Sequence, residues 1–260
     1  MRTLIAIPVF NEERHLEDVL REVRQYADDV LVIDDGSTDR TPQIIARLRD
    51  ELGLDVIQRD ENVGYGRSMQ DAFDRAAERD FDWVITIDCD EQHEPASIPR
   101  FVEAAKSGAF DIVSGSRYMN FDENLVERDG NPPPDRRAIN HRITLEINDR
   151  LASCLGSPLT DAFCGFKAYR VEGLKRLELS ENGYAFPMQF WVQAAAAGLR
   201  VGEIPVRLIY TDEPRSFGSG LDDPQRRLAY YRRVMHCELE KCASRLPDSA
   251  LEGVSAAGCG

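Results

Sequence analysis

Short apolar runs alternate with amphipathic stretches along the first 115 residues. Thr3–Val9, Val30–Ile33, Leu54–Gln58, Trp83–Ile87 and Asp111–Ser114 are runs of strand length with few polar breaks. Helical spacing fills the intervals: Glu12–Tyr26, a stretch capped by Thr38 or Asp39 and reaching Leu52, Arg67–Glu78, and Pro95–Lys106. In the first of these, Leu16, Val19, Leu20 and Val23 make one stripe. Near-continuous apolar strands alternating with helices predict an α/β fold, a doubly wound, mostly parallel sheet flanked by helices.

The pattern changes after Arg117. Residues 119–135 are polar, contain Gly130-Asn131-Pro132-Pro133-Pro134 and show no period, so they are expected to form a long mobile loop. Helix returns over Arg136–Leu155. Phe163–Tyr169 then reads as a strand, Val171–Leu177 as a short helix, Pro187–Ala197 as a buried helix and Val201–Arg207 as a strand. A second polar loop, Leu208–Asp223, precedes a helix over residues 224–245. Its stripe of Leu228, Met235 and Leu239 is expected to pack on the rest of the chain, although its arginines also suit a membrane surface. The expected organisation is a catalytic domain over 1–223, with a first half to 117 and a second half from 118, then this helix, then a flexible tail over 246–260.

Charge adds a division that hydropathy does not show. The chain of 260 residues has a net charge of −14, and 15 basic against 30 acidic side chains fall within residues 1–130, with 17 against 16 in the remainder. That balance argues against nucleic acid as a partner and against adhesion to anionic lipid by charge alone. An acidic first half followed by an arginine-bearing second half suits a metal site beside an anion site, and equally an acidic surface that maintains solubility. The longest uncharged stretch, Asn182–Leu199, is interrupted by Pro187, Gln189 and Gln193, and the N-terminus has no signal pattern, so the expected location is cytoplasmic. Six cysteines without a Cys-x-x-Cys pair are expected to be free thiols.

Candidate chemistry gathers where strands end. Asp88-Cys89-Asp90-Glu91-Gln92-His93 follows the apolar run Val84–Ile87, and residues two apart in an extended segment face the same way. Asp88, Asp90 and Gln92 can therefore converge on a hard divalent ion, Mg²⁺ or Mn²⁺. Alternatively, Asp88 caps the next helix and the others are solvated. Asp34-Asp35-Gly36-Ser37 and Pro8-Val9-Phe10-Asn11-Glu12 end two further strands. Both segments suit turns and caps. In a parallel sheet the three ends would also lie side by side and line a cleft for a nucleotide. Asn62-Val63-Gly64-Tyr65-Gly66 gives a tight turn, but Met69 replaces the third glycine of a dinucleotide fingerprint.

Taken in order with Gly115-Ser116-Arg117-Tyr118 and Asp161–Arg170, these segments resemble the family-2 glycosyltransferases with the GT-A fold. Among them, the chain is similar to the polyprenol-phosphate sugar transferases typified by dolichol-phosphate mannose synthase, over about residues 3–220. The resemblance implies nucleoside contacts at Pro8, Asn11, Glu12 and Asp35. It also implies a carboxylate near ribose and metal at Asp88, with metal ligands on the diphosphate at Asp90 and Gln92. Basic residues that receive a phosphate-bearing acceptor would be Arg117, with Arg136 or Arg137, and Arg215. The implied reaction is inverting transfer of a hexose from GDP-mannose or UDP-glucose to a polyprenyl phosphate. A membrane-anchoring partner, or peripheral contact at the cytoplasmic face of a membrane, would bring the lipid within reach.

If the acceptor is instead a hydroxyl, a general base is required, and Asp161 is the candidate. The chain departs from the resemblance at Gln189, where related enzymes often carry an acid, and in the acidic segment Thr211–Gly218. No Gln-x-x-Arg-Trp motif is present, which sets processive polysaccharide synthesis aside. A non-catalytic nucleotide-sugar-binding subunit is the alternative of a different class.

Overall fold

The structure is a computed structural model describing residues 1–90, 92–119, 133–209 and 220–254. Seven strands, β1 (Thr3–Val9), β2 (Val30–Asp34), β3 (Asp55–Gln58), β4 (Trp83–Thr86), β5 (Ile112–Ser116), β6 (Lys167–Arg170) and β7 (Val201–Pro205), form one sheet. Its order is β3-β2-β1-β4-β6-β5-β7. β6 runs antiparallel to both of its neighbours, and the remaining pairs are parallel. The helices are α1 (Leu16–Val23), α2 (Thr41–Leu52), α3 (Tyr65–Glu78), α4 (Ile98–Lys106), α5 (Pro134–Leu155), α6 (Val171–Leu174), α7 (Phe186–Ala196), α8 (Pro224–Lys241) and α9 (Asp248–Leu251).

Side chains of a strand alternate between faces, and the core divides accordingly. Ile5, Ile7, Val30, Val32 and Ile85 join α1, α2 and α4 in one apolar cluster. Leu4, Ala6, Leu31, Ile33 and Val84 join α3, α5, α7 and α8 in the other. The expected helix-covered, mostly parallel sheet is thus observed.

Differences from the sequence reading lie at element ends, where specific hydrogen bonds override periodicity. α1 starts at Leu16 rather than Glu12 because the preceding amides are engaged elsewhere: Asn11 N–H donates to Ser37 Oγ, Glu12 N–H to Thr41 Oγ1 and Glu13 N–H to Asp39 Oδ2. The expected strand from Phe163 begins only at Lys167. Phe163 N–H turns back to Asp161 Oδ1, and Gly165 O accepts from Thr86 Oγ1. The expected loop 119–135 is shorter at its end, since α5 starts at Pro134 and Asp135 pairs with Arg227 at 2.8 Å. Most of that loop, and residues 210–219 of the second, lie outside the described residues.

The chain does not fray at Pro247. α9 buries Ala250, and the Arg150 guanidinium donates to Ala250 O and Glu252 O, fixing the chain to α5. Cys89, Cys154, Cys164 and Cys242 are free thiols as expected, whereas Cys237 is disulfide-bonded.

α8 packs Tyr231, Met235 and Leu239 into the core against α7 and α5. It also buries one carboxylate, Glu238. Two amides one helical turn apart on α7 receive it: Gln189 Nε2 donates to Glu238 Oε2 at 2.9 Å, and Gln193 Nε2 to Oε1 at 2.6 Å. Gln189 Oε1 in turn accepts from the backbone N–H groups of Ser180 and Glu181. Gln189 is therefore a packing and loop-holding residue. Gln189→Glu would set a second carboxylate beside Glu238 and should cost about 3 kcal/mol. Adding Glu238→Gln, which restores donor to acceptor, should recover most of that loss in urea denaturation.

Candidate active site

Val9 lies opposite Asp34 and Ala6 opposite Thr86, so the carboxyl ends of β2, β1 and β4 form one edge. Open α/β sheets bind ligands outside this edge. At β1, Asn11 adopts a left-handed φ of 57°, a conformation asparagine tolerates, and its Oδ1 accepts from Thr38 N–H at 2.8 Å. Pro8 and Glu12 are half-buried on either side of this bend. At β2, Gly36 has φ 74° and packs so closely on the backbone of Glu61 and Asn62 that a Cβ would overlap it. Buried Asp35 accepts from Val63 N–H at 3.0 Å, from Gly64 N–H at 2.8 Å and from the Arg59 guanidinium. Its first structural task is to hold the turn at residues 62–64. Arg59, which also binds Ser68 and Asp71, was not foreseen.

Beyond β4, Asp88 is half-buried, while Asp90, Gln92 and His93 are buried. Asp90 Oδ1 accepts from Gln92 N–H at 3.1 Å, which folds this segment into a turn. The Asp88 carboxylate sits against Gly165, where any Cβ would overlap it, and 3.4 Å from His93 Nε2. Burial raises its pKa. The His93 hydrogen bond and the charges of His93, Lys167 and Arg117 outweigh this and hold it below the ordinary value. Asp88 and Asp90 face a common neighbour: after burial itself, their charges are among the influences that push the Tyr65 hydroxyl upwards.

Two carboxylates and an amide oxygen in one turn are the donors a hard divalent ion takes. Among the described residues, no three His, Cys, Asp or Glu side chains are grouped so as to hold a metal ion by themselves. The donor types alone, two carboxylates and one amide, match Mg²⁺ or Mn²⁺.

β5 ends at the basic part of the site. Arg117 Nε donates to Asp161 Oδ2 at 2.6 Å, and a terminal nitrogen donates to Oδ1 at 3.0 Å. Asp161 is 1% exposed and also accepts from Phe163 N–H. Burial raises its pKa, but Arg117 and then Lys167 bring it below 3.8. A carboxylate so engaged suits the positioning of a guanidinium and is ill suited to taking a proton. Glu203 accepts from Thr160 N–H and Asp161 N–H, fixing the segment that carries it. Lys167 is buried, bonded to Cys164 O and 5.7 Å above the Trp191 ring; desolvation lowers its pKa.

Arg136 and Arg137, both in the first turn of α5, have different neighbours. Burial raises the Tyr118 hydroxyl, an effect that the charges of Arg117 and Arg137 oppose. Arg136 acts on Tyr231, which burial pushes up to about 12 against the charges of Arg227 and Arg136. Arg215 lies outside the described residues.

The family model for glycosyl transferase family 2 matches residues 4–178, which contain the ends of β1, β2, β4 and β5. The chain belongs to this family. Among its relatives, an undecaprenyl-phosphate mannosyltransferase of Micrococcus luteus is 30% identical over 226 residues, covering 85% of this chain and 88% of the relative. A polyprenol monophosphomannose synthase of Mycolicibacterium smegmatis is 31% identical over 216 residues, covering 79% and 76%. A solved structure, glucosyl-3-phosphoglycerate synthase from Mycobacterium tuberculosis with Mn²⁺, UDP-glucose and phosphoglyceric acid, superposes with a TM-score of 0.66 at 20% identity. It covers 95% of this chain and 81% of that one. At that identity the likeness shows the fold, which is GT-A.

In this glycosyltransferase the Asp161 carboxyl is depressed when folded, so its stabilising contribution is complete above its ordinary pKa of 3.8 and is lost as the pH falls through the lower, folded value. Asp161→Asn should destabilise the protein by about 3 kcal/mol at neutral pH. Urea denaturation of both proteins from pH 6 to pH 3 should show that difference shrinking below the ordinary carboxylate pKa.

Proposed function

We propose that this family-2 glycosyltransferase moves a hexose, with inversion, from a nucleotide-diphosphate sugar to a polyprenyl phosphate. The observation that carries the reading is the placing of opposite charges at adjoining strand ends: Asp88 packs on Gly165, two residues from Lys167, which pairs with Thr86 of β4 and with Ser114 of β5, the strand that leads to Arg117. Strand ends separated only by β6 thus offer carboxylates for a metal and a guanidinium for a phosphate. The activities of the Micrococcus and Mycolicibacterium relatives support the acceptor class. GDP-mannose and UDP-glucose are the donors to test.

A divalent ion held by Asp90 and Gln92, with Asp88 beside it, would neutralise charge on the departing diphosphate. Asp88 orients the donor's ribose and sugar, while Pro8, Asn11, Glu12 and Asp35 frame the nucleoside. Arg117, positioned by Asp161 and accompanied by Arg137, orients the acceptor. An anionic phosphate oxygen then forms a bond to the sugar's anomeric carbon as the bond to the diphosphate breaks. That nucleophile carries no proton, so no general base is needed, in keeping with the engaged state of Asp161. Most of the acceleration comes from proximity and electrostatics.

Gln189, between α7 and α8, gives no ground for a subunit that has lost its chemistry. Among the described residues no helix is long and apolar enough to cross a membrane. In this reading, peripheral contact with a membrane or an anchoring partner brings the lipid acceptor to the site.

Transfer of labelled sugar to undecaprenyl phosphate in the presence of Mn²⁺ tests the reading. Asp90→Ala should reduce turnover by about a thousandfold, and chelation of the metal should do the same. Undiminished transfer in either case overturns the assignment.

A further inference from the structure

We infer that Tyr184 and Tyr65 form an aromatic wall that holds the first isoprene units of the acceptor. This rests on the acceptor class proposed above and adds a binding site for the apolar part of that molecule. Tyr184 is 40% exposed, and its ring lies parallel to that of Tyr65, with 6.4 Å between centroids and an interplanar angle of 8°. Tyr65 meets Phe186 edge-on, and Phe186 continues inward to Phe73 and Phe190. The exposed ring is the outer end of a ladder rooted in the core.

Its supporting loop is held on several sides. Arg67 N–H donates to Asn182 O at 3.2 Å, and Gln70 Nε2 to Glu181 O at 3.1 Å. Gln189 Oε1 accepts from Ser180 and Glu181, and Tyr230 OH donates to Glu181 Oε1 at 2.5 Å. Gly64 and Gly66 lie so close to the backbone of residues 181–183 that no side chain fits between them. An aromatic ring fixed in this way and left facing solvent has already lost the freedom that binding would otherwise remove.

The wall stands between the two charged parts of the site. Tyr65 follows Gly64, whose N–H binds Asp35. On the other side Phe163 lies 5.4 Å from Tyr231, and its N–H binds Asp161, the partner of Arg117. Tyr231 in turn lies 6.1 Å from Tyr230, whose hydroxyl binds Glu181 and packs against Gly183, the residue before Tyr184. A phosphate at Arg117 would thus leave its chain running along aromatic faces. Flat, methyl-bearing double bonds suit such faces, whereas a small, fully charged acceptor gains nothing from them.

Calorimetric binding of farnesyl phosphate, with glycerol phosphate as a phosphate lacking the chain, tests the wall. Tyr184→Ala should weaken farnesyl phosphate about tenfold, while Tyr184→Phe, which keeps the ring, stays within about twofold of the parent protein. Glycerol phosphate should bind all three proteins alike. Unchanged farnesyl phosphate binding in the alanine variant would overturn the inference. So would equal weakening of both ligands, a phenylalanine variant as weak as alanine, or a parent protein with no preference for farnesyl phosphate. Tyr184-dependent binding without sugar transfer would keep the wall and remove the proposed activity. Unaltered transfer to polyprenyl phosphate by Tyr184→Ala would do the reverse.

Discussion

Opposite charges confined at the ends of β4 and β5 organise the functional half of this molecule. Asp88 and Asp161 are carboxylates that burial alone would push towards the neutral form. Each stays charged because donors and cations stand beside it: Arg117 grips Asp161 through two nitrogens, while a hydrogen bond from His93 and the charges of Lys167 and Arg117 act on Asp88. The arrangement forces neighbouring choices. Gly165 leaves room for Asp88, Glu203 orders the segment bearing Asp161, and Lys167 occupies a strand position where an apolar residue would otherwise sit.

The same arrangement divides labour between two kinds of ligand. Carboxylates presented beyond β4 suit a cation and the diphosphate it accompanies, and a guanidinium beyond β5 suits a phosphate. Because β6 is inserted antiparallel between these strands, their ends are separated by one strand and joined across it by Lys167. The topology itself places the two proposed subsites beside one another.

Much of the first half was legible from the chain because its signals are local. The runs ending at Val9, Ile33 and Ile87 have strand length, the helices between them carry regular stripes, and the acidic residues fall just past the strands. The second half was less legible because its decisive contacts span distant residues. The bidentate grip of Arg117 on Asp161 joins positions 44 apart, and Gln189 meets Glu238 from 49 residues away. Periodicity carries no trace of either. Lys167 did leave a signal, as a lysine within an otherwise apolar strand, and Gly165 was visible only as a glycine without an assigned task. Likewise, nothing local marks Arg150 as the group that fixes residues 250–252.

The central claim is that Asp88, Asp90 and Gln92 together receive a divalent cation on the nucleotide's diphosphate. Crystals of the protein grown with Mn²⁺ and either GDP or UDP, measured at the manganese absorption edge, address it directly. The account predicts an anomalous peak bounded by those three side chains and by diphosphate oxygens. A nucleotide bound with no manganese there, or with the ion held by other residues, would contradict it.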